Sequence, residues 1–277
     1  MPIIDSHHHF WHYTEADYGW IPPAWAALKR DFLPADLHQE ISAAGVDGVI
    51  SVQARQALVE TDWLLDFAAR HAFIRGVVGW VPLIDPAIET HLDQYTAHPK
   101  LRALRHVLQA EEDDAYMLRP DFNRGIAALT RRGLAYDILI FERHLPHTLT
   151  FVDRHPEQVF VLDHVAKPRI AANELEPWAS NIRELARRPH VACKLSGLVT
   201  EADVSTWTPV QLQPYFDVVL EAFGPSRLLF GSDWPVCLAG VGYARWKQTV
   251  EAALPTLSAA EHAAVFGGNA QRLYRLP

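Results

Sequence analysis

Short apolar runs recur along the chain, and stretches with the 3.6-residue period of helices lie between them. Near-continuous apolar strands of this kind are typical of a parallel sheet that is covered on both faces. The first run enters at Ile3 and Ile4, and seven more follow at residues 46–53, 74–83, 101–108, 134–140, 159–165, 191–196 and 227–233. Eight such units predict a closed (β/α)8 barrel formed by one domain over residues 1–277, with an open doubly wound sheet as the alternative.

The helical stretches have recognisable ends. The pattern predicts helices at residues 34–44, 60–71, 86–98, 122–132, 144–155, 178–187 and 212–223, with closing helices from residue 243. Gly45 is placed to end the first of them, and Thr61 is placed to cap the second. Residues 13–34 contain the pair Pro22-Pro23, which interrupts any helical period and predicts an irregular loop.

Composition and charge narrow the class of protein. The chain is 49% hydrophobic and 21% charged, as expected for a globular protein with a large core. A formal net charge of -8 without a basic stripe argues against nucleic acid as a partner. No apolar run approaches the roughly 18 residues that a membrane span needs. Cys193 and Cys237 are typical of a reducing compartment, so we expect a cytoplasmic protein.

Histidines at alternate positions follow the first apolar run. Side chains at i and i+2 of a strand point the same way, so His7 and His9 are expected to share one face with Asp5 behind them. Two imidazoles at the end of a buried strand can hold a divalent metal or polarise a carbonyl group. An expression tag is the alternative, but this run has only three histidines and continues an apolar segment.

Polar residues also end the later predicted strands. Barrel active sites lie at the carboxyl ends of the strands, so these residues are the candidate site. They are Arg105 and His106, Tyr136 and Asp137, Asp163 and His164, Lys194 and Ser196, and Ser232 and Asp233. Neighbouring residues of a strand face opposite ways, so only one of Arg105 and His106 can face the interior. The same alternation places His164 on one face with Leu162 and Phe160.

Two motifs at opposite ends of the chain carry a family resemblance. Residues Asp5–His9 and Gly231–Pro235 resemble the amidohydrolase superfamily, whose first strand ends in His-x-His and whose eighth ends in Asp. Further segments resemble its lactonase branch, which contains sugar-lactone hydrolases and a pyrone-dicarboxylate lactonase. These segments are Glu60–Leu65, Gly79–Val81, Leu104–Gln109, Leu162–His164, Cys193–Leu198 and Asn269-Ala270. The resemblance therefore runs through nearly the whole chain.

The resemblance implies a barrel hydrolase that opens a small lactone, with fuconolactone or rhamnonolactone as candidate substrates. Asp233 would be the base that activates water, and His7, His9 and His164 would stabilise the oxyanion. The same four residues could hold one zinc ion. Metal-dependent members usually have histidines on strands five and six, whereas this chain has only His164 there, so catalysis without a metal stays open.

Several further roles stay open at this stage. Arg105 and Lys194 either bind substrate or form buried ion pairs with Asp163 or Asp137. The side chains of Trp20, Trp25 and Trp234 either line the sugar face or pack in the body of the protein. A metal-dependent decarboxylase of the same superfamily and a nonenzymatic binding protein on a barrel scaffold are the rival functions.

Overall fold

The computed structural model describes residues 1–277 and contains one sheet of eight parallel strands, in which each strand pairs with the next along the chain. The strands are β1 (Ile4–His8), β2 (Gly48–Val52), β3 (Ile74–Gly79), β4 (Leu101–His106), β5 (Ala135–Ile138), β6 (Phe160–Leu162), β7 (Val191–Leu195) and β8 (Leu228–Phe230). The segment after β8 returns to β1, where Asp233 N donates to His7 O at 2.8 Å and His9 N to Trp234 O at 2.7 Å. The barrel is therefore closed, as predicted, and the open sheet is wrong.

Helices surround the barrel in the order that the apolar periodicity predicts. They are α1 (Glu15–Tyr18), α2 (Pro34–Ala44), α3 (Leu58–Arg70), α4 (Ile88–Thr96), α5 (Pro120–Arg131), α6 (Leu145–Asp153), α7 (Trp178–Ala186), α8 (Leu198–Glu201), α9 (Pro209–Phe223), α10 (Tyr243–Ala253), α11 (Ala259–Ala263) and α12 (Asn269–Leu273). Gly45 ends α2 with a φ of 65°, a left-handed conformation that glycine adopts without steric cost. No helix is both long and apolar enough to cross a bilayer.

Two local predictions are wrong. The segment 13–34 is not irregular throughout, because it contains α1 and a 3-10 turn at Pro23–Leu28 in which proline occupies the first position. Thr61 does not cap α3, which begins three residues earlier at Leu58. Its hydroxyl instead donates to the Trp80 carbonyl at 2.8 Å and thereby ties α3 to the segment after β3.

The hydrophobic core has two layers. A large outer cluster lies between the strands and the helices, and a small cluster fills the barrel interior. The interior cluster consists of Ile4, Ile50, Val52, Val78, Ala103, Ala135, Val161, Ala192, Leu229, Ala270 and Tyr274. The last two come from α12 and the residue after it, so the end of the chain closes the amino-terminal mouth of the barrel. The candidate site residues lie at the opposite, carboxyl end of the barrel.

Candidate active site

Three histidines and one aspartate converge at the carboxyl end of the barrel. His7 Nε2 lies 3.2 Å from His9 Nε2. Asp233 Oδ1 lies 3.3 Å from His9 Nε2, 3.7 Å from His7 Nε2 and 3.9 Å from His164 Nε2. All four side chains are almost fully buried. The structure thus brings together the residues that the sequence marked at strands one, six and eight.

An irregularity in β1 aims His7 at this point. The register between β1 and β2 shifts between Asp5 and His8, so simple alternation fails here. Asp5 does not lie behind the histidines on the cavity side, contrary to the prediction. Its carboxylate accepts hydrogen bonds from His7 N (3.0 Å), Ser232 N (2.9 Å) and the Tyr243 hydroxyl (2.9 Å), and burial raises its pKa to about 6. Asp5 therefore ties the ends of β1 and β8 together.

His164 reaches the site by a route that strand alternation did not predict. Phe160 and Leu162 face the outer core, and β6 ends before His164, whose φ is 51°. This left-handed conformation turns the imidazole into the cavity. Gly197 makes room for the ring, because a Cβ atom there would lie 2.5 Å from His164 Nδ1. The prediction that His164 shares a face with Phe160 and Leu162 is therefore wrong, although the residue is part of the cluster.

The turn after β6 is strained. The four residues from His164 to Lys167 all have φ between 48° and 60°. Each non-glycine residue in this conformation costs roughly 1–2 kcal/mol, and a β-branched residue such as Val165 is rare there. Burial of Val165 and Ala166 holds the turn, together with a 2.7 Å hydrogen bond from Trp178 Nε1 to the Val165 carbonyl. Strain of this kind concentrates at functional sites.

Each imidazole has a partner for the nitrogen that faces away from Asp233. The Nδ1 atoms contact the Val52 carbonyl (2.8 Å, His9), the Ser196 hydroxyl (2.9 Å, His164) and Asp163 Oδ1 (3.2 Å, His7). Burial lowers the pKa of His164 to about 4 and holds the pKa of His7 well below its usual value. The rings of His7 and His164 are therefore neutral at pH 7, and their Nδ1 partners leave the Nε2 atoms free to act as electron-pair donors.

Asp233 is ionised in this setting. Burial by itself raises the pKa of its carboxyl group, but the neighbouring His164 and His9 imidazoles outweigh burial, and the pKa lies below its ordinary value. Asp233 also has a φ of 57°, so its backbone is left-handed like that of His164. The site therefore presents a carboxylate and three imidazole nitrogens to the same small volume.

A layer of buried ion pairs lies directly beneath. Lys194 Nζ contacts Asp137, lies 3.0 Å from Asp163 Oδ1 and lies 3.2 Å from His7 Nδ1. Arg105 Nη1 donates to Asp163 Oδ2 at 2.9 Å. Burial, opposed by Lys194, raises the pKa of Asp137 to about 6, whereas Lys194, His7 and Arg105 outweigh burial and hold the pKa of Asp163 well below its usual value. Both basic residues thus form the ion pairs that the sequence offered as their alternative role.

A cavity of about 240 Å³ opens above Asp233. It is lined by His9, Trp20, Ala54, Arg105, Val107, Gln109, Ala110, Leu139, His164, Lys167, Asp233 and Val236. Of the residues expected to bind substrate, Trp20 and Arg105 line it. Lys194, Trp25 and Trp234 do not: Lys194 lies below, Trp25 packs against the outer core, and Trp234 is buried against Phe32 and Phe10. His106 faces outward and contacts Glu111 at 2.6 Å, which settles its alternation with Arg105.

Two cavity residues were missed by the sequence reasoning. Lys167 comes three residues after His164. This spacing does not predict that both side chains face one cavity unless the left-handed turn between them is known. Gln109 lies just beyond β4, and its Oε1 atom is buried without a hydrogen-bond partner. A buried acceptor of this kind costs free energy unless a ligand or water donates to it. Gln109 ends the segment Leu104–Gln109 that carries part of the family resemblance, and this resemblance was the sequence feature that could have marked it as a site residue.

The donor set fits a divalent metal ion. Donor atoms of His7, His164 and Asp233 all lie within 4.8 Å of one another. Tetrahedral zinc with bonds of about 2.0–2.1 Å separates its ligand atoms by roughly 3.3 Å, close to the distances that join His9 to His7 and to Asp233. Against this, the Arg105 guanidinium lies 3.4 Å from His7 Nε2 and repels a cation at that atom.

Fold and site together define a (β/α)8-barrel enzyme with an imidazole–carboxylate centre at the carboxyl ends of its strands. The chain belongs to the amidohydrolase family, because the family model described as "Amidohydrolase" matches residues 4–276. An L-fucono-1,5-lactonase of Burkholderia multivorans is 45% identical over 99% of this chain and 96% of its own length. An L-fucono-1,5-lactonase of Burkholderia ambifaria is 40% identical over 99% and 95%.

A solved structure extends the comparison to three dimensions. A crystal structure of an amidohydrolase from Burkholderia multivorans with bound zinc superimposes with a TM-score of 0.97. The two sequences are 44% identical, and each chain is covered completely. That relative therefore holds zinc in its crystal structure.

Proposed function

We propose that this chain is a lactonase that opens the ring of a sugar 1,5-lactone, with L-fucono-1,5-lactone as the first candidate substrate. The observation that carries the proposal is the convergence of Asp233 with three imidazole Nε2 atoms at the floor of a cavity. The names of the two Burkholderia relatives supply the substrate class. No comparable similarity supports the decarboxylase or the nonenzymatic binding protein.

The cavity suits a small polyol ring. Trp20 offers an exposed aromatic face on one side, and aromatic faces pack well against the C–H groups of sugars. Val107, Leu139 and Val236 add apolar surface, and Gln109 adds a polar side chain to the wall of the cavity. A few placed polar groups in an otherwise apolar pocket are the usual basis of ligand orientation.

Asp233 is the proposed general base. Its lowered pKa keeps it ionised at neutral pH, so it accepts a proton from the water that attacks the ring carbonyl carbon. The bond between that carbon and the ring oxygen then breaks, and Asp233 returns the proton to the departing oxygen. Hydrolysis in this order leaves the sugar acid, with a carboxyl group at C1 and a hydroxyl group at C5, the carbon that carried the ring oxygen.

The three histidines are the residues that would hold a metal in this scheme. Their Nε2 atoms surround the Asp233 carboxylate, which would be the fourth ligand. A bound Zn²⁺ ion would supply Lewis-acid polarisation of the carbonyl oxygen and a lower pKa for water. Lys194 supports His7 from below in this proposal and does not touch the substrate.

The test is a lactone panel followed by acid release with a pH indicator. We expect turnover of L-fucono-1,5-lactone above the spontaneous rate, and less turnover of lactones with other hydroxyl configurations. The panel should be run as purified, after chelation and with added zinc, because the chelated sample measures how far catalysis needs a metal. Absence of lactone turnover under all three conditions, with turnover of an aromatic carboxylate, would favour the decarboxylase instead.

A further inference from the structure

Lys167 has a fixed position beside His164 and Asp233. It lines the same cavity as His164 and Asp233, at the end of the left-handed turn that also carries His164. Lys167 N donates to the His164 carbonyl at 2.8 Å, so the turn couples the two residues rigidly. The side chain of Lys167 is 17% exposed, which leaves the ammonium group within reach of a ligand in the cavity.

The ammonium group of Lys167 forms one long ion pair and lies within hydrogen-bond distance of no protein acceptor. Each of the other lysines donates at least one hydrogen bond from Nζ: Lys29, Lys100, Lys194 and Lys247. Lys167 Nζ donates none, and its ion-pair partner Glu201 lies 3.7 Å away, beyond hydrogen-bond distance. The Phe141 ring is 5.4 Å from Nζ and adds an aromatic face without accepting a proton in a conventional hydrogen bond. Three N–H donors are therefore available to a substrate.

The other cation in the cavity is occupied. Arg105 donates to Asp163 Oδ2 at 2.9 Å and to Gln53 Oε1 at 2.9 Å, so its guanidinium is held by protein groups. The remaining donor of Arg105, its Nε atom, has no partner but is buried, so Lys167 is the cavity cation whose partly exposed side chain leaves its donors free of hydrogen bonds. Lactone hydrolysis needs such a group, because the neutral carbonyl becomes an oxyanion and then a carboxylate.

We propose that Lys167 is a catalytic residue of the lactonase reaction: its ammonium group donates a hydrogen bond to the lactone carbonyl oxygen as negative charge develops there, and then binds the product carboxylate. The inference rests on the proposed function. Lys167 stays protonated throughout and forms no covalent bond, so the proton transfers from water to Asp233 and from Asp233 to the ring oxygen are unchanged. The strain of the left-handed turn then has a functional explanation, because the turn presents both His164 and Lys167 to one substrate.

Replacement of the ammonium by an apolar group of similar length tests the proposal. In Lys167→Met we expect kcat to fall by about 10²–10³-fold, the loss typical of one oxyanion donor. The KM for lactone should change by less than about threefold, because the neutral ground-state carbonyl gains little from the cation. Product inhibition by the open-chain sugar acid should weaken by about tenfold, which a purely structural role would not produce.

A rescue experiment guards against misfolding. Lys167→Cys, alkylated with 2-bromoethylamine, restores an ammonium at nearly the original distance, and we expect recovery of at least a tenth of wild-type kcat. Cys193 and Cys237 are buried, so wild-type protein treated in the same way is the control. Lys247→Met is the matched substitution, since Lys247 pairs with Glu251 on α10 away from the cavity, and its kcat should equal that of wild type.

The outcomes separate this inference from the proposed function. If wild type turns over lactone while folded Lys167→Met keeps kcat and product inhibition within threefold, the inference fails and the lactonase stands. If wild type turns over no lactone, the proposed function fails. Calorimetric titration with the sugar acid then decides the binding role of Lys167, with a tenfold loss of affinity in Lys167→Met supporting it and an unchanged affinity refuting it.

Discussion

Two layers of ionisable residues lie at the carboxyl end of the barrel, and they differ in their role. The upper layer is His7, His9, His164 and Asp233, whose free nitrogen and oxygen atoms face one another beneath the cavity. The lower layer is Arg105, Asp137, Asp163 and Lys194, whose charges neutralise one another in full burial. His7 belongs to both, because its Nε2 atom faces the upper layer and its Nδ1 atom faces the lower.

The difference follows from where each residue stands relative to the end of its strand. Arg105, Asp137 and Lys194 are inside β4, β5 and β7, so their side chains are held at the level of the barrel interior. His164 and Asp233 lie two and three residues beyond β6 and β8, in left-handed backbone that extends over the rim. Most of the reactive centre therefore lies beyond the strands and most of its support lies inside them, with two exceptions: His7 is inside β1, and Asp163 lies one residue beyond β6.

Removing the carboxylate of the upper layer should have the largest effect on activity. In Asp233→Asn we expect kcat/KM to fall by about 10³–10⁴-fold, because an amide cannot accept the proton of the attacking water. Steady-state kinetics on the lactone measures this, with thermal unfolding as the check on the fold. Asp203→Asn on the exposed surface is the control. Activity within tenfold of wild type in Asp233→Asn would remove the base from the proposal.

Breaking the lower layer should act on stability first. Lys194→Met leaves Asp137 and Asp163 buried beside one another without their shared cation, and loss of one partner of a buried pair costs about 3–5 kcal/mol. The free energy of unfolding in urea measures the loss. Adding Asp137→Asn to Lys194→Met should recover part of it, since one uncompensated charge disappears. A double variant no more stable than Lys194→Met would contradict the charge balance that distinguishes the two layers.

The acid limb of the activity profile reports on the upper layer, because Asp137 and Asp5, with pKa values of about 6, support the site without exchanging protons with the substrate. Activity needs an ionised Asp233 and a neutral His164, and both pKa values are lowered, that of His164 to about 4 by burial. Activity is therefore present above these pKa values and is lost as the pH falls through them. We expect kcat/KM to be constant from pH 8 to about 5 and then to fall, by about tenfold per pH unit for each group. An acid limb centred near pH 6.5 would show imidazoles of ordinary pKa instead.

A smaller effect is expected at the edge of the cavity. Gln109→Leu removes a polar side chain from the wall of the cavity without altering either layer, so we expect KM to rise about fivefold and kcat to stay the same. One hydrogen bond to a substrate hydroxyl is worth about 0.5–1.5 kcal/mol, which agrees with that ratio. Gln39→Leu on the exposed face of α2 is the control. An unchanged KM would place the substrate away from Gln109.

The barrel was predictable because its strands are apolar on both faces and because glycines such as Gly45 end its helices in the expected places. The composition of the upper layer was predictable too, through the motifs around His7 and Asp233. The division into layers was not. Strand alternation correctly allowed only one of Arg105 and His106 to face the interior, without saying which, and it failed at His164 because alternation applies only while the backbone is extended.

Three of the five residues expected to contact substrate, Lys194, Trp25 and Trp234, do not line the cavity, and for Lys194 the reason is related. Lys194 and Arg105 occupy similar positions in their strands, yet only Arg105 lines the cavity. A sequence does not specify how far a side chain lies below a rim whose height is set by the loops. Lys167 was overlooked because the backbone that presents it is left-handed at four successive non-glycine residues, a conformation that no residue type there announces.

The contact between Tyr274 and Asp137 makes the active site depend on a residue that is synthesised near the end of translation. The Tyr274 hydroxyl donates to both oxygens of Asp137, which in turn holds Lys194 under His7. The imidazole at position 7 leaves the ribosome early, but its support is incomplete until position 274 has been translated and has docked. A nascent or truncated polypeptide without Tyr274 would contain every reactive side chain but would lack the hydroxyl group that holds Asp137 and, through it, Lys194.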